Sequence, residues 1–348
     1  SLPDGIDYDD YLIATYLAVF PKDIPVPKLA PAFAVEQSTG TWVPVPGETP
    51  EVKRKHLAKV IGVYEIPDYE FEVPKDIQTR NYIIQIAFPE INIGEQIPML
   101  LTTVVGNISM GGRIKLLDIR FPEKFVKGFK GPKFGIDGIR KLLNIPNRPL
   151  LNNMIKPCTG YPLEVGAELF RLAALGGCDI VKDDELIADA SFNSALDRVK
   201  RYMEIEKEVY EIKGEHTLYT VNITDSVPKI FENAKRAVEL GANALMINYL
   251  AVGFAVFQKI AEDPEINVPI LAHMDVAGAL YMSEFHGISS HLVLGKLPRL
   301  VGADAVVIPA PYGKASVLHD KFINNANNLR LPFYHIKPTF PMASGGIT

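Results

Sequence analysis

A regular alternation of apolar runs and helical patterns occupies the chain from about residue 130 onward. Runs typical of buried strands begin roughly 26 to 38 residues apart, near Leu150, Asp179, Thr217, Asn243, Pro269, Asp304 and Thr339. Helical patterns lie between them, for example at residues 163–175, 194–212, 228–240 and 252–261. Several helices are expected to end in a left-handed glycine, at Gly176, Gly241 and Gly302. Repeated βα units of this length predict a parallel sheet, either doubly wound or closed as a barrel.

The polar residues that follow these runs favour the barrel. They are Lys156, Lys182 to Glu185, Asn222 and Thr224, Asn248, His273 and Asp275, Lys314, and Ser344 to Gly346. A TIM barrel collects its chemistry at the carboxyl ends of all its strands, whereas a doubly wound sheet concentrates it at one switch point. A closed TIM barrel has eight strands, so the seven predicted strands are one too few. Either an eighth βα unit lies beyond this sequence or the barrel prediction is wrong, and we prefer the first interpretation.

The first 120 or so residues follow a different pattern. An alternating segment at 82–88 and β-rich stretches at 99–106 and 114–121 are accompanied by proline-rich connections. Many strands with few helices predict an α+β module built on an antiparallel sheet. We therefore predict an N-terminal α+β (ferredoxin-like) domain over residues 1–125, followed by a (β/α)8 TIM barrel over residues 126–348.

Charge and cysteine usage exclude several classes of protein. The net charge is −5 and the sequence shows no basic stripe, so nucleic acid is not an expected partner. Two cysteines, Cys158 and Cys178, form no CxxC pair, which argues for a reducing compartment and against a disulfide framework or a structural zinc. Because the sequence shows no long apolar run and no signal-peptide pattern, we expect a cytoplasmic protein without a membrane partner.

The stretch GGCDIVKDDE, residues 176–185, ends one predicted strand with a lysine and three carboxylates. A period of two puts Lys182 and Asp184 on one face of the strand, and Glu185 joins them if the chain turns. Two carboxylates suit a hard cation such as Mg2+. A lysine that has reacted with CO2 to form a carbamate would add a third oxygen anion. By spacing alone, a solvated charge cluster that ends the strand is an equal alternative.

Three other strand ends carry candidate groups. Lys156 could lose its proton and act as a base in a barrel mouth, although an exposed lysine at a strand end is the commoner case. His273 could act in catalysis, but a hydrogen-bonded core histidine is again commoner. Ser344-Gly345-Gly346 offers backbone amides to a phosphate, or forms only a turn.

In combination, these residues resemble the ribulose-bisphosphate carboxylase/oxygenase (RuBisCO) large-chain family. The matching segments are STGTW (38–42), VGN (105–107), GPKFGIDGIR (131–140), RPLL (148–151), IKP (155–157), GGCDIVKDDE (176–185), NYLAVGF (248–254), AH (272–273), GK (313–314) and ASGG (343–346). The resemblance implies an N-terminal α+β domain followed by a barrel. It also implies a homodimer in which the N-terminal domain of the partner completes each active site.

The resemblance assigns a role to each matching residue. It implies that Lys182 is carbamylated by CO2 and binds Mg2+ together with Asp184 and Glu185. The other positions correspond to the enolisation lysine (Lys156), an active-site histidine (His273), the mobile-loop lysine (Lys314), the partner-subunit residues (Glu36, Thr41 and Trp42) and the sugar and phosphate contacts (Ser344, Gly345 and Gly346).

Several positions depart from the carboxylases. By the resemblance, Cys158 replaces a second lysine, Met274 an arginine, and Ala277 and Val307 two histidines. The arginine and the second of these histidines are donors that a second phosphate would need, and a dianion without donors is costly to desolvate. We therefore predict a substrate with one phosphate, and a RuBisCO-like (form IV) protein rather than a carboxylase.

Within that group the chain looks most like the methionine-salvage 2,3-diketo-5-methylthiopentyl-1-phosphate enolases. Those enzymes use a lysine base at the position of Asn107, so Lys156 is the predicted base here. The predicted function is Mg2+-dependent enolisation, of enolase, isomerase or decarboxylase type, of a phosphorylated keto-sugar-like small molecule without CO2 fixation. A genuine ribulose-1,5-bisphosphate carboxylase and a non-catalytic regulatory protein are the alternatives.

Overall fold

The computed structural model describes residues 7–41 and 43–346, which form two compact units. The first unit holds the described residues up to Phe129 together with Gly278–Val293. The second holds Lys130–Ala277 and the described residues from Leu294 onward. The predicted domain boundary between residues 125 and 126 stays a prediction.

The strands of the described residues come in two sheets. In chain order they are β1 (Tyr11–Pro21), β2 (Lys59–Ile66), β3 (Thr79–Pro89), β4 (Arg113–Arg120), β5 (Asn152–Met154), β6 (Ile180–Lys182), β7 (Leu218–Asn222), β8 (Ala244–Asn248), β9 (Ile270–His273), β10 (Gly287–Ile288), β11 (Ala305–Pro309) and β12 (Phe340–Ser344).

The α-helices follow the same order. They are α1 (Val26–Glu36), α2 (Pro50–His56), α3 (Ile97–Val104), α4 (Glu123–Val126), α5 (Gly135–Leu143), α6 (Leu163–Leu175), α7 (Ala195–Lys213), α8 (Lys229–Glu239), α9 (Tyr249–Val252), α10 (Phe254–Ala261), α11 (Ala277–Tyr281), α12 (Leu297–Leu300) and α13 (His319–Arg330). Short 3-10 helices lie at Tyr8–Asp10, Glu90–Asn92 and Asn107–Met110, and a π-helix at Leu292–Lys296. Across the described ranges, no helix has the length and apolar character needed to cross a membrane.

The sheet of the first unit has the strand order β10-β4-β1-β3-β2. Strand β1 pairs antiparallel with both β3 and β4, β2 pairs antiparallel with β3, and the two-residue β10 adds a parallel edge beside β4. With α1 between β1 and β2, and α3 between β3 and β4, this is the ferredoxin-like arrangement of helices and strands. The predicted α+β fold of the N-terminal region is confirmed.

One predicted strand of this unit is wrong. Residues 99–106 belong largely to helix α3, and Leu100, Thr103 and Val104 are its buried face at the i, i+3, i+4 spacing of a helix. A short apolar run does not distinguish a strand from a buried helix. Pro98 stands in the first turn of α3, where proline is favoured.

The sheet of the second unit contains seven strands in the described residues, in the order β12-β11-β9-β8-β7-β6-β5. Every neighbouring pair is parallel, and each strand begins one or two residues after its predicted start. A doubly wound sheet reverses its strand order part-way, whereas this order runs in one direction as in a barrel wall. The TIM-like prediction is confirmed as a parallel-strand half-barrel, and an eighth βα unit stays a prediction.

The amino-terminal end of this half-barrel is filled by apolar side chains. Ile139 and Leu143 of α5 belong to one buried cluster with inward-facing residues from the starts of five strands, namely Ile180, Leu218, Ala244, Leu271 and Ala305. The sheet is curved enough to bring its two edge strands, β5 and β12, together. Asn152 of β5 donates a hydrogen bond to Sδ of Met342 on β12, 2.6 Å away. Lys182 and His273 stand at the opposite, carboxyl ends of their strands.

The predicted helix ends are correct at two glycines and wrong at one. Gly241 and Gly302 have φ of 94° and 103°, in the left-handed region. Gly176 has φ of −70°, and the left-handed residue is its neighbour Gly177, with φ of 92°. The α6 backbone thus continues one residue further before it turns into β6.

A buried ion pair links the end of β6 to helix α7. Asp183 directly follows β6, and its Oδ2 accepts hydrogen bonds from Nε and Nη2 of Arg198 on α7, at 3.2 and 2.9 Å. Tyr219 Oη donates to the other carboxylate oxygen at 2.7 Å. Both members of the pair are fully buried. Burial lowers the pKa of Arg198, but Asp183 and Tyr219 outweigh that effect and raise it above its usual value.

We expect Arg198→Met to lower the free energy of unfolding by about 3–5 kcal/mol, because it leaves the Asp183 carboxylate buried without its cation. Arg201→Met is the matched control on the same helix, since Arg201 pairs with the exposed Glu164 and should cost at most about 1 kcal/mol. Urea unfolding followed by circular dichroism measures both variants. Equal losses in the two variants would contradict the role given to the buried pair.

Candidate active site

The end of β6 places Lys182 inside the half-barrel with a carboxylate beside it. Lys182 is buried, and its Nζ donates hydrogen bonds to Glu185 Oε2 at 3.1 Å and to the Asp183 carbonyl at 2.8 Å. Asn222 and Asn248 hold the Glu185 backbone by donating to its carbonyl oxygen, at 3.2 and 3.1 Å. The chain therefore turns after β6, as the predicted grouping of Lys182 with Glu185 requires.

A second ion pair links β6 to the residue that follows β5. Lys156 Nζ lies 2.5 Å from Oδ2 of Asp184, whose side chain is fully buried while that of Lys156 is 49% exposed. Lys156 also donates to Sγ of Cys158 at 3.0 Å. Burial lowers the pKa of Lys156, but these two hydrogen bonds outweigh it and raise the pKa to about 12. In this arrangement the amine is held as an ammonium ion.

A third group continues from Glu185 to the end of β9. Glu185 Oε2 lies 3.3 Å from Nε2 of His273, and Nδ1 of His273 lies 2.8 Å from Oδ2 of Asp275. One ligand atom from each of these three residues lies within 4.8 Å of the others, a grouping that could hold a metal ion. Burial raises the pKa of Glu185, but the charges of His273 and Lys182 outweigh that effect and bring it below its usual value.

Met274 and Val307, which the resemblance matches to phosphate donors, are packed against other apolar side chains. Val307 is buried in the cluster at the bottom of the half-barrel, and Met274 packs against the same cluster. Met246 and Met342 face the same interior. This part of the second unit therefore presents methyl groups and thioether sulfurs, which offer no hydrogen-bond donor to a charged group.

The ends of β11 and β12 meet through their backbones. The Lys314 amide donates to the carbonyl of Gly345 at 2.7 Å, and the Ala310 amide to that of Ser344 at 2.8 Å. A Cβ atom on Gly313 would lie 2.3 Å from Gly345 O, so this close approach requires glycine. Gly345 and Gly346 both have positive φ, at 121° and 90°. The structure brings Lys314 together with the Ser344–Gly346 segment.

The remaining predicted site residues belong to the first unit. Glu36, at the end of α1, accepts a hydrogen bond from Nδ2 of Asn107 at 2.9 Å. Thr41 lines a cavity of about 380 Å3 together with Thr39, Glu48 and other residues. Trp42 lies outside the described residues. The roles of all the predicted site residues stay predictions.

Asp275 is the one member of this constellation that was not predicted as a site residue. It stands two residues after His273 and contacts its imidazole, which the histidine–x–aspartate spacing could have indicated. The resemblance assigned no role to this position.

Family comparisons agree with the two-part architecture. The ribulose bisphosphate carboxylase large chain catalytic domain matches residues 135–348, and the N-terminal domain of the same protein matches residues 5–125. The chain belongs to the ribulose bisphosphate carboxylase large-chain family. It is 59% identical to a ribulose bisphosphate carboxylase-like protein of Archaeoglobus fulgidus, over all of this chain and 79% of that protein.

Two further relatives place the chain among the RuBisCO-like proteins. A 2,3-diketo-5-methylthiopentyl-1-phosphate enolase of Geobacillus kaustophilus is 38% identical over 97% of this chain and 81% of that enzyme. The crystal structure of a rubisco-like protein (MtnW) from Alicyclobacillus acidocaldarius is similar with a TM-score of 0.89 and 37% identity, over 97% of this chain and 83% of that one. The predicted family and its RuBisCO-like subgroup are confirmed.

We expect Asp184→Asn to lower the pKa of Lys156, because it removes an anion whose hydrogen bond and charge raise that pKa against the effect of burial. The pair stabilises the fold at neutral pH, and its contribution is lost as pH rises through the raised pKa of Lys156. The pH dependence of Lys156 acetylation, followed by mass spectrometry, measures the shift. Lys235, which pairs with Glu265 on the surface, is the internal control. If the pH midpoint of Lys156 acetylation were the same in Asp184→Asn as in wild type, this account would be contradicted.

Proposed function

We propose that the chain is an Mg2+-dependent enzyme that removes a proton next to a ketone of a small monophosphate, without fixing CO2. One observation carries the proposal. The second unit has a lysine and carboxylates grouped at the end of β6. It also has apolar residues, Met274 and Val307, at the positions where, by the resemblance, a second phosphate would need donors. The enolase named among the relatives supports the same class of reaction.

The residues at the end of β6 fit a divalent cation. Carboxylate oxygens from Asp184 and Glu185, with a carbamate oxygen on Lys182, would form the all-oxygen set that Mg2+ prefers. Thr220 Oγ1 and Asn248 Oδ1 are buried and have no hydrogen-bond partner among the described residues, so they can accept from a hydrated ion. When bound, Mg2+ would supply electrophilic stabilisation of the negative charge that forms on the ketone oxygen.

Asp184 and Glu185 are engaged by cations of the protein itself. Asp184 is paired with Lys156, and Glu185 with Lys182 and His273. Conversion of the Lys182 amine to a carbamate replaces a cation by an anion, which makes a divalent ion the natural counter-charge of the cluster. Lys156 would then be released from Asp184 and could exchange a proton with the substrate, while His273 orients the substrate or relays protons.

The single phosphate would bind at the carboxyl ends of β11 and β12. The positive φ values of Gly345 and Gly346 and the contact with the Lys314 backbone shape a turn with exposed amides, which can donate to phosphate oxygens. Ser344 and the Lys314 side chain complete this subsite in the proposal. The apolar interior around Met274 and Val307 would take the part of the substrate that carries no charge.

We extend the proposal to assembly. Related carboxylases are described as dimeric in Hyperthermus butylicus and octameric in Pyrococcus horikoshii. By this likeness the chain would form at least a homodimer, in which Glu36, Thr41, Trp42 and Asn107 of one protomer serve the site of the other.

The reaction is tested by proton exchange. In D2O containing Mg2+ and bicarbonate, we expect the protein to exchange the α-proton of 2,3-diketo-5-methylthiopentyl-1-phosphate or of another ketose monophosphate, measured by proton NMR. Lys182→Met should lower the rate by at least about 100-fold, because it removes a ligand to the ion. Lys207→Met, on the exposed face of α7, should leave the rate unchanged.

Three outcomes would contradict the proposal. Exchange in none of the monophosphates would reject the enolisation reaction. Fixation of CO2 onto ribulose 1,5-bisphosphate would establish a carboxylase instead. Failure to bind Mg2+ in a calorimetric titration with bicarbonate present would favour a non-catalytic protein on this scaffold.

A further inference from the structure

The Asp275–His273 contact is the tightest hydrogen bond that the His273 ring makes. Nδ1 lies 2.8 Å from Asp275 Oδ2, whereas Nε2 lies 3.3 Å from Glu185 Oε2. The ring itself is buried within the half-barrel, and Asp275 is about one third exposed. When the imidazole is neutral, its single proton is therefore favoured on Nδ1, where Asp275 accepts it, over Nε2, which faces Glu185.

The residue directly after Asp275 has an unusual backbone conformation. Val276 has φ of 72°, in the left-handed region, where a β-branched side chain is a marked outlier. Its side chain is largely exposed, so packing does not explain the conformation. Strain of this kind persists where the surrounding structure fixes it, and it concentrates at functional sites. The strained residue therefore lies next to the Asp275–His273 contact in the chain.

We propose that Asp275 is a positioning residue that fixes the tautomer of His273, so that Nδ1 carries the proton and Nε2 is left as the proton acceptor. The inference rests on the proposed function. It adds a residue to the site and gives His273 one defined orientation for relaying a proton.

The chemistry of the two ring nitrogens explains why this matters. A neutral imidazole has one donor and one acceptor nitrogen, and the hydrogen bond at one decides the role of the other. With its proton held by Asp275, His273 presents a lone pair at Nε2, on the side of Glu185. Without Asp275, the ring proton would stay on Nε2 and be donated to Glu185. Nε2 would then have no lone pair with which to accept a proton from the substrate.

The same arrangement orients histidines beside metal ions in other proteins, where a carboxylate accepts the second ring proton. Asp275 would then act outside the ion's ligand set. The alternative is that Asp275 binds a cation directly, together with Glu185 and His273, because their ligand atoms are close enough to do so.

The tautomer is measured directly by nitrogen-15 NMR of the imidazoles in metal-free protein, at a pH where the His273 ring is neutral. A His273→Gln variant assigns the signal among the seven histidines. We expect wild type to show the Nδ1–H form and Asp275→Asn to shift His273 to the Nε2–H form. The Nε2–H form in wild type would overturn the proposal, whether or not the variants fold.

Kinetics and metal binding give the second arm. Asp275→Asn should lower kcat for proton exchange by about 10–100-fold, as loss of such a partner does elsewhere, with KM within about threefold. Glu206→Gln is the matched control, because Glu206 contacts Nδ1 of His216 at the same distance, 2.8 Å, just before β7 begins. That variant should keep its kcat within about twofold.

Calorimetry with Mg2+ and bicarbonate separates positioning from direct ligation. Asp275→Asn is expected to retain Mg2+ affinity within about threefold, and a loss of tenfold or more would make Asp275 a ligand and overturn the proposal. An unchanged kcat in Asp275→Asn would also overturn it. If wild type itself exchanges no proton, the proposed function fails, and the tautomer measurement still decides the role of Asp275.

Discussion

Each of the three carboxylates after β6 is paired with a group from another part of the second unit, and these pairs connect the fold to the site. Asp183 turns outward to Arg198 on α7, Asp184 meets Lys156 beyond β5, and Glu185 meets His273 at the end of β9. A buried charge without its partner costs several kcal/mol, so none of these elements can move independently of β6. The alternation of faces along a strand separates the structural ion pair of Asp183 from the groups that face the interior.

The interior of the half-barrel is divided along its axis. Apolar residues from α5 and the strand starts fill the amino-terminal end, and the charged groups occupy the carboxyl ends. Val307 belongs to this apolar cluster and Met274 packs against it. The family is shown by nearly the whole chain, whereas the proposed choice of a monophosphate rests on these two apolar positions.

The strands of the second unit could be predicted because buried parallel strands are continuous apolar runs, and every start lies close to its expected residue. Predictions failed where local sequence is ambiguous. The apolar run of α3 has no period that separates helix from strand, and of the pair Gly176-Gly177 either residue could adopt the left-handed conformation. Strand β10 has only two residues, too few for any pattern. The contact of Asp275 with His273 was not predicted, because the resemblance assigned Asp275 no role and the contact is visible only in the fold.

The central claim is that Lys182 changes from a cation paired with Glu185 into a carbamate that completes an Mg2+ site. Carbon-13 NMR of the protein incubated with labelled bicarbonate tests it most directly. The account predicts one carbamate signal that strengthens on addition of Mg2+, is present in wild type and is absent in Lys182→Met. Tight Mg2+ binding without any carbamate signal, or a signal that persists in Lys182→Met, would contradict it.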